Sequence, residues 1–150
     1  MRWFWLRHCL IDPAAGTESV LYSFCGQQNC TDGAQPGSSL IDIDGTLYGT
    51  TEAGGNESCQ QAFGCGTVFS IDENNGTETV LYSFCTQQNC TDGQSPSSSL
   101  IDVDGTLYGT TYVGGAFDGG TLFSLNLNTG TQAVGYSFCA QKRCKDGSNP

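Results

Sequence analysis

The sequence predicts an all-β protein made of antiparallel repeat units with four strands each. The first observation is a repeated segment: LYSFCGQQNCTDG at residues 21–33 returns as LYSFCTQQNCTDG at 81–93 and as GYSFCAQKRCKDG at 135–147. The second is that short apolar runs alternate with polar residues, and that no window shows a helical period. The third is that Asp-Gly and Asn-Gly pairs separate these runs, a pattern typical of hairpin turns.

Each complete unit contains four strand candidates. In the first unit, SLIDID (39–44) and TLYGTT (46–51) flank an Asp-Gly turn, and GTVFSID (66–72) and ETVLYSF (78–84) flank the turn ENNG. The second unit has SLIDVD, TLYGTT, GTLFSLN and QAVGYSF in the same order. Four antiparallel strands repeated at a fixed spacing are the sequence form of a β-propeller blade, so we predict propeller-like blades.

The chain is predicted to be a single repeat array. It divides into a partial unit (1–36), a full unit (37–96) and a second full unit (97–150) whose last crossover is truncated. An insertion that carries Cys59 and Cys65 lengthens the first full unit and is predicted to be a surface loop. About ten strands make about two and a half blades, whereas closed propellers have about four to eight. We therefore expect a fragment of a longer array, or open strand edges that pair with another chain.

The cysteines predict local disulfides. Eight of the nine lie in close pairs, and Cys9 is left over and expected to stay unpaired. The predicted pairs are Cys25–Cys30, Cys59–Cys65, Cys85–Cys90 and Cys139–Cys144. Zinc pairs usually have shorter spacers and often include histidine, and this chain has one histidine, so zinc and free thiols are the weaker alternatives. Disulfides indicate an oxidising compartment, hence an extracellular or cell-surface location, although residues 1–11 show no clear export signal.

The charge distribution excludes several partners. The five Lys and Arg residues all lie at the two ends of the chain, while fourteen of the fifteen acidic residues lie between residues 8 and 141. Nucleic-acid binding requires cations that neutralise phosphates, so no DNA or RNA partner is predicted. The same lack of cations argues against anionic membrane surfaces. No stretch approaches the ~20 apolar residues of a membrane span.

Candidate chemistry is limited to carboxylates. Asp42 with Asp44, and Asp102 with Asp104, stand two residues apart, and such pairs on a strand would share a face. Acid–base catalysis or calcium binding would use this arrangement, but the pair recurs at every Asp-Gly turn, which favours a structural role with calcium as the alternative. Asp32 and Asp92 are similarly interpreted as turn formers. We predict no catalytic, cofactor-binding or metal-binding residue, and no cofactor.

The combination of motifs resembles a known family. DGTLYGTT followed two residues later by GG (44–55 and 104–115), together with GTVFS or GTLFS and LYSF, is similar to the GloVer tandem repeat of choice-of-anchor bacterial proteins. The resemblance covers residues from about 11 to 150 and implies a propeller-like array that is exported and has no established catalytic activity. At residues 1–9 the chain departs from the pattern, since MRWFWLRHC stands where GTVFS is expected.

The functional expectation follows from these observations. We expect a non-catalytic extracellular repeat module that serves as a structural or adhesion scaffold and is not an enzyme. The alternative is a propeller that binds carbohydrate or peptide, and a glycan-acting enzyme is the weakest of the three hypotheses. Partners are expected to be proteins or glycans, with self-association through open strand edges and the SLID strands.

Overall fold

The computed structural model describes residues 8–12, 17–56 and 64–150, with side chains described from residue 19 onward. These residues form twelve strands and three short 3-10 turns. The strands are β1 (His8–Asp12), β2 (Thr17–Tyr22), β3 (Ala34–Pro36), β4 (Ile41–Ile43), β5 (Thr46–Ala53), β6 (Thr67–Asp72), β7 (Glu78–Ser83), β8 (Gln94–Pro96), β9 (Ile101–Val103), β10 (Thr106–Val113), β11 (Thr121–Asn126) and β12 (Gln132–Ser137). The 3-10 turns are Gln28–Cys30, Gln88–Cys90 and Lys142–Cys144.

The strands form three antiparallel sheets, which confirms the predicted all-β repeat fold. Strands β1 and β2 make a two-stranded hairpin, strands β3 to β7 make the first full sheet, and β8 to β12 make the second. Within a full sheet, neighbouring long strands follow chain order, as in a propeller blade. Closure of such blades into a ring stays a prediction.

The first strand of each full sheet is interrupted. Both β3 and β4 pair with β5, through Pro36 opposite Thr51 and Ile41 opposite Tyr48. The second sheet repeats this arrangement with β8 and β9 against β10. The described residues therefore contain twelve strands where about ten were expected, because β3 and β8 lie in segments predicted to be crossovers. Each contains a proline at its end, a residue that sheets accept only at edges or interruptions.

The predicted boundaries at 36/37 and 96/97 fall between the two halves of an interrupted strand. These boundaries separate the units of the sequence repeat and place β3 and β8 at the end of the preceding unit. Hydrogen bonding instead assigns β3 to the first full sheet and β8 to the second. The strands β4 and β9 are also shorter than the predicted SLIDID and SLIDVD segments, since they begin two residues later and end immediately before the Asp-Gly turn.

Each full sheet has two apolar faces. The register places Leu47, Phe69 and Ile71 on one side of the first sheet, which we call the front face. The opposite side, the back face, carries apolar residues of β4 to β7. These are Ile41, Ile43, Tyr48, Val68 and Tyr82. Because successive side chains of a strand alternate, both faces of a sheet become available for packing.

The sheets are stacked front to back. The front face of the first sheet packs against Leu21, Tyr22 and Phe24 of the hairpin and the residues that follow it. The back face of the first sheet packs against the front face of the second, which carries Leu107, Phe123 and Leu125 together with Leu100. Equivalent aromatic contacts mark both interfaces: the ring centroids are 4.6 Å apart for Phe24 and Phe69, and 5.0 Å apart for Phe84 and Phe123.

A glycine in each TLYGTT strand makes room for the central aromatic ring. A Cβ atom on Gly109 would lie 2.8 Å from Phe123 Cζ and 2.9 Å from a methyl carbon of Leu100. Gly49 stands in the same relation to Phe69 and Leu40. The side chain is therefore absent where the front-face phenylalanine crosses the neighbouring strand. Among the described residues, no helix has the length and apolarity that crossing a membrane requires.

Candidate functional site

The most strongly patterned part of the molecule is a short loop that follows the last strand of each unit. We call the segments 25–33, 85–93 and 139–147 the cysteine loops. In the second loop the Cys85 amide donates to the Gly93 carbonyl at 3.2 Å, and the Gly93 amide donates to the Cys90 carbonyl at 2.9 Å. These two bonds bring the ends of the loop together, and the other two loops have the corresponding bonds.

Each cysteine loop contains residues in the left-handed backbone conformation, which residues other than glycine rarely adopt. Cys85, Asn89 and Cys90 have φ angles of 61°, 58° and 52°, and the equivalent positions of the other two loops are also left-handed. Such a residue costs on the order of 1 kcal/mol or more, so surrounding contacts must hold it in place. The sequence gives only an indirect signal of this conformation, through asparagine at two of the three middle positions.

Disulfides are among those contacts. The structure bonds Cys25 to Cys30, Cys85 to Cys90 and Cys139 to Cys144. Cys65 is buried and is also disulfide-bonded. Its predicted partner Cys59 lies outside the described residues, and so does the side chain of Cys9. The Cys59–Cys65 bond and the unpaired state of Cys9 therefore stay predictions.

The Cys85–Cys90 bond is expected to stabilise the fold measurably. Replacing both residues with serine should lower the free energy of unfolding by about 2 kcal/mol, because a cross-link restricts the unfolded chain. Urea denaturation, monitored by far-ultraviolet circular dichroism, measures this change. The same pair of substitutions at Cys139 and Cys144, where the loop lies at the exposed end of the second sheet, is the matched comparison; an unchanged midpoint for the Cys85/Cys90 variant would contradict the prediction.

An aspartate carboxylate organises each loop from inside, and it is completely buried in the first two loops. Asp92 is completely buried and accepts hydrogen bonds from the hydroxyl of Tyr82 at 2.7 Å and from the amides of Thr86 at 2.9 Å and Gln87 at 3.3 Å. The Thr86 hydroxyl adds a fourth bond at 2.9 Å. Burial, together with the Asp92 carboxylate, raises the pKa of Tyr82 to about 12, so the phenol stays protonated and donates.

The same arrangement occurs in all three loops. Tyr22 donates to Asp32 at 2.9 Å, and Tyr136 donates to Asp146 at 2.7 Å, with backbone amides of each loop on the remaining lone pairs. Asp32 and Asp92 were predicted to be turn formers. The structure gives each a further role, because the tyrosine belongs to the last strand and the aspartate to the crossover. The carboxylate therefore fixes the loop to its sheet.

The Asp-Gly hairpins have a different geometry from the one expected for paired carboxylates. Asp42 accepts a bond from the Gly45 amide at 2.9 Å, and Asp102 accepts one from Gly105 at 3.1 Å. Asp44 and Asp104 lie in the turn itself with φ angles of 52° and 50°, so the pairs do not share a strand face. Left-handed Asp followed by Gly is the backbone of a tight hairpin turn.

No group of three or more potential metal ligands is present among residues 8–12, 17–56 and 64–150. We expect these turn aspartates to be structural. Calorimetric titration with calcium should give no binding tighter than about the millimolar range that loosely built sites reach. The Asp44→Asn and Asp104→Asn double variant is the control, and calcium-dependent heat that disappears in this variant would establish the alternative instead.

One polar side chain was missed by sequence reasoning. Glu78 begins β7 and has an oxygen, Oε1, that is buried without a hydrogen-bond partner among the described residues. Burial and, next, the negative charge of Asp32 raise the pKa of Glu78 from about 4.5 to about 7. The second sheet has Gln132 at the same position, where its Nε2 donates to the Asp92 carbonyl at 3.3 Å. The repeat thus has an ionisable side chain at this position in one unit and a neutral one in the other, where Oε1 of Gln132 is likewise buried without a hydrogen-bond partner among the described residues.

Glu78 is expected to make stability depend on pH. Because its pKa is higher in the folded chain, the folded state binds more protons between about pH 4.5 and 7, so the free energy of unfolding falls as pH rises through that window. Glu78→Gln should remove this fall and stabilise the protein above pH 7 by roughly 1 kcal/mol, a value reduced for the half-buried position. Melts from pH 4 to 8 measure it, with Gln132→Glu as the reciprocal variant. Equal pH profiles for Glu78→Gln and the parent would contradict it.

The repeated sheets and their cysteine loops define an all-β tandem-repeat protein. The family model of the Gloeobacter/Verrucomicrobia repeat matches residues 10–150. The chain therefore belongs to this repeat family, which confirms the resemblance to the GloVer tandem repeat. None of the curated proteins matches the chain in sequence.

Proposed function

We propose that this chain is a non-catalytic module of an extracellular or cell-surface protein and that it serves as a structural or adhesion scaffold. The observation that carries the proposal is that the polar groups repeated in every unit are engaged in hydrogen bonds within the fold. The Asp92 carboxylate accepts hydrogen bonds from Tyr82 and from donors of its loop, and its counterparts in the other two loops do the same. The groups that recur in every unit thus hold the repeat together.

The proposed location follows from the disulfides and the charge. Disulfides that close loops persist in oxidising compartments and are rare in the cytosol. A net charge of −10 keeps such a module soluble and discourages non-specific association with other acidic surfaces. Non-reducing peptide mapping of the protein isolated from its host tests this location. Oxidised cysteine loops are expected, and fully reduced cysteines in freshly alkylated material would contradict export.

The alternative, a carbohydrate- or peptide-binding module, has one supporting observation. Tyr112 and Phe117 are both about half exposed near the turn between β10 and β11, and exposed aromatic rings are used to stack against sugars. A glycan array separates the hypotheses: the scaffold proposal predicts no binding above background. Binding that is lost in the Tyr112→Ala and Phe117→Ala double variant would favour the binding module. Turnover of any glycan on the array would instead contradict a non-catalytic role.

A further inference from the structure

Four segments of the chain have the sequence Asn-x-Ser or Asn-x-Thr, the motif at which an oligosaccharide is attached to asparagine in exported proteins. They lie at residues 29–31, 56–58, 75–77 and 89–91. Such a motif is useful only where the fold presents both the asparagine amide and the hydroxyl two residues later to an enzyme. The structure separates the four segments on this criterion.

Two of the segments lie inside cysteine loops. In the second loop Asn89 is left-handed, and the middle residue of the motif, Cys90, is bonded to Cys85. The motif hydroxyl is engaged as well, since Thr91 donates to Oε1 of Gln87 at 3.2 Å. The first loop has the same arrangement. A transferase would have to open a cross-linked loop before it could bind either segment.

The segment at 56–58 begins with an asparagine that is already bound within the fold. Asn56 is half-buried, and its Nδ2 donates to the Cys85 carbonyl at 3.1 Å. The two residues that follow it lie outside the described part of the chain. Because glycosylation modifies this same nitrogen, the reaction at Asn56 would break a contact between the first sheet and the second cysteine loop.

The segment at 75–77 lies in the turn that connects β6 and β7. Asn75 and Thr77 are both exposed, and Gly76 between them has a φ angle of 70°. The Nδ2 atom of Asn75 donates to the Asp72 carboxylate at 3.1 Å in an exposed contact, which water can replace at small cost. Both residues that a transferase reads are therefore at the surface.

The turn itself does not require an asparagine. Asn75 Oδ1 accepts a hydrogen bond from the Thr77 amide at 2.8 Å, which closes the turn. In the second sheet the equivalent residue is Thr129, whose hydroxyl accepts a bond from the Thr131 amide at 3.3 Å. Threonine thus performs the same backbone function, and this second turn has no Asn-x-Ser/Thr motif. The Asn75 amide is additional to what the turn needs.

Asn75 also differs from the other three asparagines in its charge surroundings. Glu73 stands two residues before Asn75. At the other three segments that position is neutral, with Gln27, Gly54 and Gln87. A transferase that selects a carboxylate at this position would therefore choose Asn75 alone.

We propose that Asn75 is the glycosylation site of this chain, and that a transferase on the export route modifies it with an oligosaccharide carried on a polyprenyl diphosphate. This inference rests on the extracellular or cell-surface location proposed above. In the reaction, the Asn75 Nδ2 atom forms a bond to C1 of the donor sugar and loses one proton to a base of the transferase. The bond between C1 and the diphosphate oxygen breaks, and the lipid diphosphate leaves.

The first test is transfer in vitro to the folded chain, with an oligosaccharyltransferase that reads Asn-x-Thr and a polyprenyl-diphosphate oligosaccharide. Peptide mass spectrometry should show an initial rate at Asn75 at least about tenfold higher than at Asn29 or Asn89, because a cysteine loop must first open locally. The reduced and alkylated chain is the positive control. A folded chain that is modified first at Asn29 or Asn89, or at no site while the reduced chain is modified, overturns the proposal.

Two variants identify the site by gain and loss. Asn75→Thr keeps the turn, because threonine serves there in the second sheet, so it should remove the glycan and leave the melting temperature unchanged. Thr129→Asn is the reciprocal change, since it introduces an Asn-Gly-Thr motif into the exposed turn of the second sheet, and it should add one modified residue. A Thr129→Asn chain that gains no glycan overturns the argument that exposure in this turn is sufficient.

The protein isolated from its host provides the second test. The same peptide digest reports the cysteine loops and the Asn75 peptide, so the location and the modification are measured separately. A hexose- or hexosamine-containing mass increase on Asn75 is expected, together with oxidised cysteine loops. An unmodified Asn75 in material with oxidised cysteine loops overturns the glycosylation inference and leaves the proposed location standing.

Discussion

Replacing Phe123 with alanine is expected to lower the free energy of unfolding by about 3–5 kcal/mol, the range for removing a buried aromatic side chain. Phe123 is completely buried on the front face of the second sheet, where its ring meets that of Phe84 with centroids 5.0 Å apart. The ring also fills the space over Gly109. Because glycine has no side chain that could move into the cavity left by the ring, the site can collapse only partly.

The matched control for this variant is Phe117→Ala. Phe117 is 54% exposed, so its truncation removes a similar side chain from water and should change stability by less than about 0.5 kcal/mol. Urea denaturation of both variants, fitted with a common slope, gives the comparison. A loss below about 1 kcal/mol for Phe123→Ala would mean that the interface between the two full sheets is not the tight contact described above.

Replacing Asp92 with alanine is expected to lower the free energy of unfolding by about 3 kcal/mol. The change leaves the Tyr82 hydroxyl and the amides of Thr86 and Gln87 without the acceptor that the buried Asp92 supplies, and an unsatisfied buried donor costs about 1–3 kcal/mol, which water partly offsets at the exposed residues Thr86 and Gln87. The left-handed residues Cys85 and Cys90 lose a support at the same time. Thermal and urea melts of the variant measure the loss.

The chain provides its own control for Asp92. Asp146 has the same bonding pattern, with Tyr136 at 2.7 Å and the amides of Ala140 and Gln141 at 2.9 and 3.0 Å, but this loop is exposed. Water can satisfy the donors that Asp146→Ala leaves, so the loss should be clearly smaller than for Asp92→Ala. Equal losses at the two positions would show that burial is not what makes the Asp92 carboxylate important.

The sequence was sufficient for features that depend on local periodicity. Alternation in ETVLYSF and the Asp-Gly turn after SLIDID predict strands that the structure confirms as β7 and β4, because side-chain direction and turn backbone are set by neighbouring residues. The repeat spacing likewise predicted that the same sheet would occur twice. The short strands β3 and β8 were missed because three residues ending in proline carry no alternating pattern.

The site was less accessible to sequence reasoning because it depends on distances between separate segments. Asp92 and Tyr82 are ten residues apart and meet only when the last strand and the crossover fold together. The sequence did contain a signal, since each unit has a tyrosine ten residues before an aspartate. The raised pKa of Glu78 could not be predicted in this way, because it arises from burial and from Asp32, which lies in the preceding unit.

The front-to-back stacking of the sheets bears on how such a chain can change length during evolution. The first full sheet meets the hairpin through its front face and the second sheet through its back face, and the hairpin–first sheet contact repeats in the contact between the first and second sheets. A duplicated unit placed between two existing ones would find complementary surfaces on both sides without any compensating substitution. Gene duplication can therefore add or remove whole units, whereas a change within Phe69 or Gly49 must be matched across the contact it disturbs.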